Sequence, residues 1–304
     1  MRTSNAMPAP AEVCSLPPTA AVELRGDDAR TFLQGQLTSD LRQLDPQSSQ
    51  LSAWCNPQGR VITTLRVIDS GESLLLLLPA DQALHVAERL QRFVLRAKVR
   101  IDAPHRRLPG IGLQGESARS VLIQAGVQPP SGANGTCSNG GVLLVRLQDP
   151  GRERFELYRH DRHFEALAAR AVDDGGNAWR AFNIEAGLPV VYAANRERFL
   201  PQMLNLERIG AVSFAKGCFA GQEVIARAQN LGRVKRHMER FSVADSASPG
   251  DAVFVAGSSV GTVVEAARRG DGGELLAVVP TTRAGAITLD AGGRIRLRDM
   301  PVFQ

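Results

Sequence analysis

The sequence predicts an α+β fold built on antiparallel sheets and ending in a small all-β unit. Three observations predict it. Apolar runs of strand length come in pairs around short turns: residues 51–54 and 61–68 flank Asn56-Pro57-Gln58-Gly59. Helical patterns follow such hairpins and do not alternate with single strands, as regular βαβ units would require. Beyond Phe241 the helical periodicity stops, and short apolar runs alternate with Gly/Asp/Ser turns.

The elements follow in order. Residues 1 to about 18 are rich in Pro and Ala and read as loose. Residues 22–24 read as a strand, and Asp27 or Asp28 is placed to cap a helix carrying Phe32, Leu33 and Leu37. After the first hairpin, residues 74–78 form another strand. Asp81 then caps a helix with Leu84, Ala87, Leu90 and Val94 at helical spacing, and residues 99–101 return as a strand. A similar pattern begins at Arg107, with a helix at 116–125, a Gly/Asn/Ser-rich loop at 129–141, strands at 142–147 and 154–158, and a helix at 161–172. Asn177 is read as the cap of a helix through Trp179, Phe182 and Ile184 that stops near Gly187-Leu188-Pro189. Five short strands at 253–255, 260–264, 275–279, 287–289 and 295–297 complete the β unit. The expected division is a loose segment 1–18, an α+β domain 19–105, a central α+β domain 106–240 and a β-barrel 241–304.

Composition agrees with this organisation. With 304 residues the chain exceeds one ordinary domain. A hydrophobic fraction of 43% against 22% charged residues supplies real cores and excludes disorder over most of the chain. The net charge of +5 permits an anionic partner without requiring one. Lys216, Arg227, Arg233, Lys235, Arg236 and Arg240 face only Glu223 and Glu239 between 215 and 241, but no RNA-binding motif accompanies this run, so direct tRNA binding is not expected. Cys14, Cys55, Cys137 and Cys218 have neither disulfide density nor zinc spacing, so no metal site is expected. No apolar run reaches the roughly 18 residues of a membrane span, and the opening residues lack the apolar stretch of a secretion signal. Ser4-Asn5-Ala6 before Met7 resembles a cloning remnant. A cytoplasmic location is expected.

The chemistry concentrates between Phe214 and Arg227. Cys218 lies beside Lys216 and between Gly217 and Gly221, which suggests a turn whose backbone approaches something closely. A neighbouring cation favours thiolate. Cys218 is therefore a candidate nucleophile, redox-sensitive thiol or metal ligand, with an ordinary structural cysteine as the alternative. His160 and His163 fall at a helix start and His237 in the basic run, so none is placed as a catalytic partner.

Lys216-Gly217-Cys218-Phe219-Ala220-Gly221-Gln222-Glu223 closely resembles the K-G-C-Y/F-x-G-Q-E signature of the YgfZ family. Four further segments resemble that family in the same order: Phe32 to Asp40 (FLQGQLTSD), Cys55 to Arg60 (CNPQGR), Asn183 to Pro189 (NIEAGLP) and Pro201 to Leu206 (PQMLNL). Asn183 stands where the family usually has arginine.

The resemblance implies the fold of the glycine-cleavage T-protein: three domains in a ring around a folate-sized hole, with tetrahydrofolate or a derivative as cofactor. It puts Glu185 at the pterin, where a carboxylate accepts paired N–H groups; the alternative is a solvated helix-end residue. It puts Gln222 where T-proteins carry an arginine, leaving Arg227 to grip the folate tail, and Trp179 and Tyr192 as aromatics able to stack on a pterin, unless they are simply core. Lys216, Gly217, Phe219, Gly221 and Glu223 frame the thiol of Cys218.

One departure matters. T-proteins carry an acidic segment on the strand after the Gly59 turn, and here Thr63-Thr64-Leu65 stands there. Neither threonine is a carboxylate base, so aminomethyl transfer by the T-protein mechanism is not expected. Flavin oxidases sharing the architecture need a dinucleotide-binding domain, and no G-x-G-x-x-G follows an opening strand. The function implied is a folate-dependent accessory factor for iron–sulfur enzymes, including some that modify tRNA, with those enzymes as partners. The alternative is a one-carbon transferase acting on an unknown substrate.

Overall fold

The computed structural model describes residues 10–102, 108–139, 142–148, 152–158, 162–230, 234–283 and 285–301. Arg233 and His160 lie outside them, as do the first nine residues of the N-terminal segment.

The chain enters through β1 (Glu12–Ser15), β2 (Thr19–Arg25) and α1 (Ala29–Gln34). Next come β3 (Ser49–Cys55), β4 (Val61–Asp69), β5 (Leu74–Pro79), α2 (Ala83–Gln91) and β6 (Arg100–Asp102). The central stretch holds β7 (Gly110–Gln114), α3 (Ala118–Gln124), β8 (Thr136–Asn139), β9 (Val142–Arg146), β10 (Arg154–Tyr158) and α4 (Arg162–Ala168). Then α5 (Asn177–Glu185) and α6 (Gln222–Asn230) lead into β11 (Arg236–Val243), β12 (Ala252–Val255), β13 (Ser258–Arg269), β14 (Gly272–Pro280), β15 (Ile287–Thr288) and β16 (Leu297–Met300).

Three antiparallel sheets result, ordered β3-β4-β5-β2-β6, β1-β7-β10-β9-β8 and β15-β12-β13-β14-β11-β16. The α+β class is as the sequence predicts. In the last sheet a bridge joins Thr288 of β15 to Arg296, just before β16. The sheet curls so that its two edge strands approach each other at this isolated bridge.

Residues 12–15 depart from the sequence reading. They are not loose: β1 pairs with β7 from Glu12↔Gln114 to Ser15↔Ile111, inserting the N-terminal segment into the central sheet. Its apolar residues, Val13 and Cys14, are buried, and four residues among prolines carry too little periodicity to announce a strand. Residues 136–139 likewise form edge strand β8 inside the expected loop. The barrel begins with Arg236, ahead of the expected border at 241.

The predicted caps also differ. The Asp28 side chain makes no cap bond; its Oδ2 accepts from the Lys98 N–H at 2.7 Å. Asp81 accepts from the Ala193 N–H, and Gln82 precedes α2. Gly176 precedes α5, while Asp174 accepts from the Asn177 and Ala178 N–H groups. Asp28 and Asp81 thus satisfy backbone donors 70 and 112 residues away, which local spacing cannot identify, while Asp174 caps the start of α5 from three and four residues before its donors.

Helix α5 is the hub. Trp179 and Phe182 enter a core with Ile68, Leu75 and Leu77 of the first sheet and Leu143, Val145 and Tyr158 of the second. Ala181 and Ile184 enter another core with Ala53, Val61, Val264 and Leu276, which joins the first sheet to the barrel. A nine-residue helix buried on two faces is held by tertiary packing, not by propensity.

Candidate functional site

Two places gather the singled-out residues. The first is a cleft of about 130 Å³ between the first two sheets, walled by α5 and by the segment after it. Strand β4 contributes Thr64 and Arg66, β10 contributes Glu156 and Tyr158, and α5 contributes Trp179 and Asn183. Leucine and proline side chains supply most of the remaining wall.

Polar groups in this apolar wall are held by one another. The Trp179 Nε1–H donates to Glu156 Oε1 at 3.0 Å, and the Tyr158 hydroxyl donates to Glu156 Oε2 at 3.0 Å. Burial raises the Tyr158 phenol well above its ordinary pKa, and the neighbouring Glu156 adds to this. Arg66 is buried and donates to Ser49 Oγ and Asn134 Oδ1; its burial lowers the guanidinium pKa. Asn183 Oδ1 accepts from Arg154 at 2.7 Å, and the Arg154 guanidinium lies 4.6 Å from the Trp179 ring centre. The Thr64 hydroxyl donates to the Pro189 carbonyl and accepts from the Val191 N–H, pinning the segment after α5 to β4. Thr63 Oγ1 donates to the Thr64 carbonyl.

At one end of the cleft Tyr192 donates from its hydroxyl to Glu265 Oε2 at 2.7 Å. Glu265 is fully buried on β13, and desolvation pushes its carboxyl up to about 7. The sequence alone does not single out Glu156, Arg66 or Glu265: each sits between apolar neighbours, as an outward-facing residue of an alternating strand also does.

Of the expected folate residues, only Trp179 and Tyr192 line this cleft. Glu185 does not. Its carboxylate meets Arg152 at 3.2 and 3.3 Å. The reason is helical geometry: Asn183 shares a face with Trp179 at i, i+4, while Glu185 is turned by about 200° from Asn183. Gln222 and Arg227 are on α6 and do not line the cleft either; Arg227 pairs with Glu223 at 2.8 Å, both exposed.

The second place is the Lys216–Glu223 segment. It docks on two turns of the first sheet. Lys216 is buried and donates to the carbonyls of Leu37 and Ser39 at 2.6 and 2.7 Å, 5.2 Å above the Phe219 ring. Burial pushes its ammonium down to about 8. The Ser213 N–H donates to Thr38 O, and the Thr38 hydroxyl donates to Ala211 O. Gly221 sits at φ +78° against the Asn56–Gly59 turn, where a Cβ would lie 2.5 Å from Asn56 O. Phe219 is buried, Glu223 is exposed, and Gly217 faces open space. The outcome is a Cys218 side chain presented at the surface, outside the cleft wall.

Two of the other thiols are not alternatives. Cys14 and Cys55 are buried, and burial pushes the Cys14 thiol up to about 12 and raises Cys55 still further. Among the described residues no three His, Cys, Asp or Glu side chains gather as a metal site. Gly110-Ile111-Gly112-Leu113-Gln114-Gly115 has dinucleotide-type glycine spacing, but Gly110 and Gly112 lie inside β7 against Tyr158 and Trp179 and make no phosphate-binding turn.

With this geometry in hand, likeness to known proteins is informative. Residues 5–208 match the GCVT N-terminal domain family. A protein of Yersinia pseudotuberculosis named tRNA-modifying protein YgfZ is 33% identical over 75% of this chain and 69% of its own length. The chain belongs to the YgfZ family. The Enterobacter YgfZ protein extends the match to 95% of this chain and 90% of its own, at 31% identity. The glycine cleavage system aminomethyltransferase T of Bartonella henselae superposes with a TM-score of 0.72 at 18% identity, over 95% of this chain and 84% of that one. The T-protein fold is therefore that of this YgfZ relative. Among the described residues no helix is long and apolar enough to cross a membrane.

Proposed function

We propose that this YgfZ-family protein is a tetrahydrofolate-binding accessory factor of the cytoplasm that supports assembly or repair of iron–sulfur enzymes and, through them, tRNA modification. The observation that carries the folate part is the cleft with Glu156 in its wall. An ionised carboxylate has about four acceptor sites, and Trp179 and Tyr158 use one on each oxygen. Acceptor capacity remains for the paired N–H groups of a pterin edge, with Asn183 beside it and the aromatic faces of Trp179 and Tyr192 nearby. These residues suit a flat, apolar-faced ring with a polar rim. Bound there, the cofactor would offer a one-carbon unit or a redox-active ring. The protein would bind, orient and shield it.

The reading includes no aminomethyl transfer. The Thr64 hydroxyl is engaged in holding the 189–191 backbone, and the Thr63 hydroxyl donates to the Thr64 carbonyl. Cys218 is the functional thiol in this reading, and its exposure suits a macromolecular client better than a ligand enclosed in the cleft. Cys218→Ser should abolish rescue of a null strain under oxidative stress; full rescue would leave the thiol without an essential role.

Calorimetric titration with tetrahydrofolate tests the pocket. Wild-type protein should bind. Glu156→Gln should weaken binding by about tenfold, the worth of one charge-assisted pair, while Glu185→Ala should bind normally. The reverse pattern would move the pterin to the Glu185 side of α5, and no binding by the wild type would sink the folate reading.

A further inference from the structure

A second cleft lies on another part of the molecule, with a volume of about 300 Å³. It is formed where the turn before β4, the residues after the Asn195 turn, and the barrel strands β11, β13 and β14 converge. Four cations line it: Arg60, Arg198, Lys235 and Arg236. No Asp or Glu lines it. Thr262 adds a hydroxyl, and Phe199 an apolar floor.

The cations are positioned in two ways. Arg60 Nη1 donates to the Arg198 carbonyl at 3.0 Å, and Arg198 Nη1 donates to the Gly250 carbonyl at 3.1 Å. These single bonds hold the guanidinium heads and leave their other N–H groups without a protein partner among the described residues. The Thr281 N–H donates to the Lys235 carbonyl, which anchors the start of β11. The side chains of Lys235 and Arg236 are exposed and make no ion pair among the described residues. Several arginines elsewhere are neutralised by an acidic partner. Arg30, Arg42, Arg89, Arg119, Arg240 and Arg283 each face a carboxylate.

Four like charges around one concavity repel, and a cleft with low-dielectric walls concentrates their field. An anion of high charge density relieves that repulsion. Guanidinium forks match phosphate oxygens in pairs, and a lysine adds a point charge. We propose that this cleft is a binding site for a phosphate-bearing ligand that places two or more phosphoryl groups among Arg60, Arg198, Lys235 and Arg236. The site is separate from the folate cleft and shares none of its lining residues. It stands whether or not folate binds.

Such phosphoryl groups belong either to a free polyphosphate compound or to the backbone of an RNA strand, and the two sources are separable. The test is calorimetric titration of the full chain at low salt with pyrophosphate, tripolyphosphate, triglutamate and unmodified tRNA. Wild-type protein should bind tripolyphosphate more tightly than pyrophosphate, and both more tightly than triglutamate. Lys235→Glu/Arg236→Glu should weaken phosphate binding by at least about tenfold. The milder Lys235→Gln/Arg236→Gln pair guards against misfolding and should weaken it less. The control Arg170→Glu/Arg208→Glu changes the net charge equally at exposed positions outside the cleft and should bind as the wild type does. If tRNA also binds and the cleft variant lowers its log–log salt slope by about 2, the source is RNA backbone. If tripolyphosphate binds and tRNA does not, the source is a free ligand. Three results overturn the proposal: no phosphate binding by the wild type, equal loss in the control, or tighter binding of triglutamate than of tripolyphosphate.

Discussion

Single residues of the signature segment divide into those that hold it and the one it presents. Gly221 adopts φ +78° with a Cβ position 2.5 Å from Asn56 O, so Gly221→Ala meets both strain and a backbone clash. We expect a loss of about 1–3 kcal/mol, read as a lower urea midpoint with unchanged slope. Gly217→Ala faces open space and should leave the midpoint where it is, so equal effects at the two glycines would contradict this division. Lys216 resembles a catalytic neighbour of Cys218 when only spacing is known. Its ammonium instead binds the backbone of residues 37 and 39, contacts that lie nearly 180 positions away in sequence and are invisible to local pattern. Glu265 gives the residue-scale pH dependence. Its folded pKa, about 7, lies above the ordinary 4.5, so the folded state holds a proton that the unfolded chain has released between those values. Its stabilising contribution is full below pH 4.5 and is lost as pH rises through 7. The total is on the order of 3 kcal/mol. Glu265→Gln keeps the acceptor for the Tyr192 hydroxyl and removes the titration. Thermal melts from pH 4.5 to 8 should therefore be flatter for this variant than for the wild type; parallel curves would refute the buried proton.

Elements show how far the sequence reaches. Strand and helix types over β2 to α5 follow from periodicity, because half-buried strands and one-sided helices repeat their apolar residues at 2 or 3.6. The short strands β1 and β8 do not, since four residues offer at most two inward positions. The caps fail for another reason: Asp28, Asp81 and Asp174 all bind backbone N–H groups, but the donors to Asp28 and Asp81 lie on segments 70 or more residues away. At the site, the aromatics of the cleft were legible and Glu156 was not, because a charge in an alternating strand reads as an outward-facing residue until a neighbouring sheet covers it. The packing of α5 on β7 depends on one such unadvertised detail. A Cβ at Gly112 would lie 2.3 Å from the Trp179 ring. Gly112→Ala should push Trp179 away from Glu156, cost about 1–3 kcal/mol by overpacking, and shift the tryptophan emission. Unchanged emission at unchanged stability would mean that the strand yields and the ring does not set the cleft wall.

At the scale of the whole molecule, the three sheets do not stand as separate bodies, because the core that receives Phe219 of the signature segment also takes Ala53 and Val61 from the first sheet, Ile184 from α5, and Met238, Val264 and Leu276 from the barrel, while a second core joins the first sheet to the central one. The two tryptophans report on different places. Trp54 lies in the first sheet's core and Trp179 in the core shared with the central sheet, whereas the barrel contains no tryptophan. Shared burial makes loss of one unit expose the apolar surface of the next, which couples their unfolding. Leu276→Ala tests this from the far side. Leu276 is fully buried on β14, and its truncation should cost about 2–5 kcal/mol. Since the lesion is in the barrel and the fluorophores are elsewhere, a coupled molecule must show the same fall in urea midpoint by tryptophan emission and by far-ultraviolet circular dichroism. If the barrel melts independently, circular dichroism acquires an early transition while emission keeps the wild-type midpoint. Coincident transitions would also mean that any ligand of the cleft between the first two sheets stabilises the barrel as strongly as the sheets it touches.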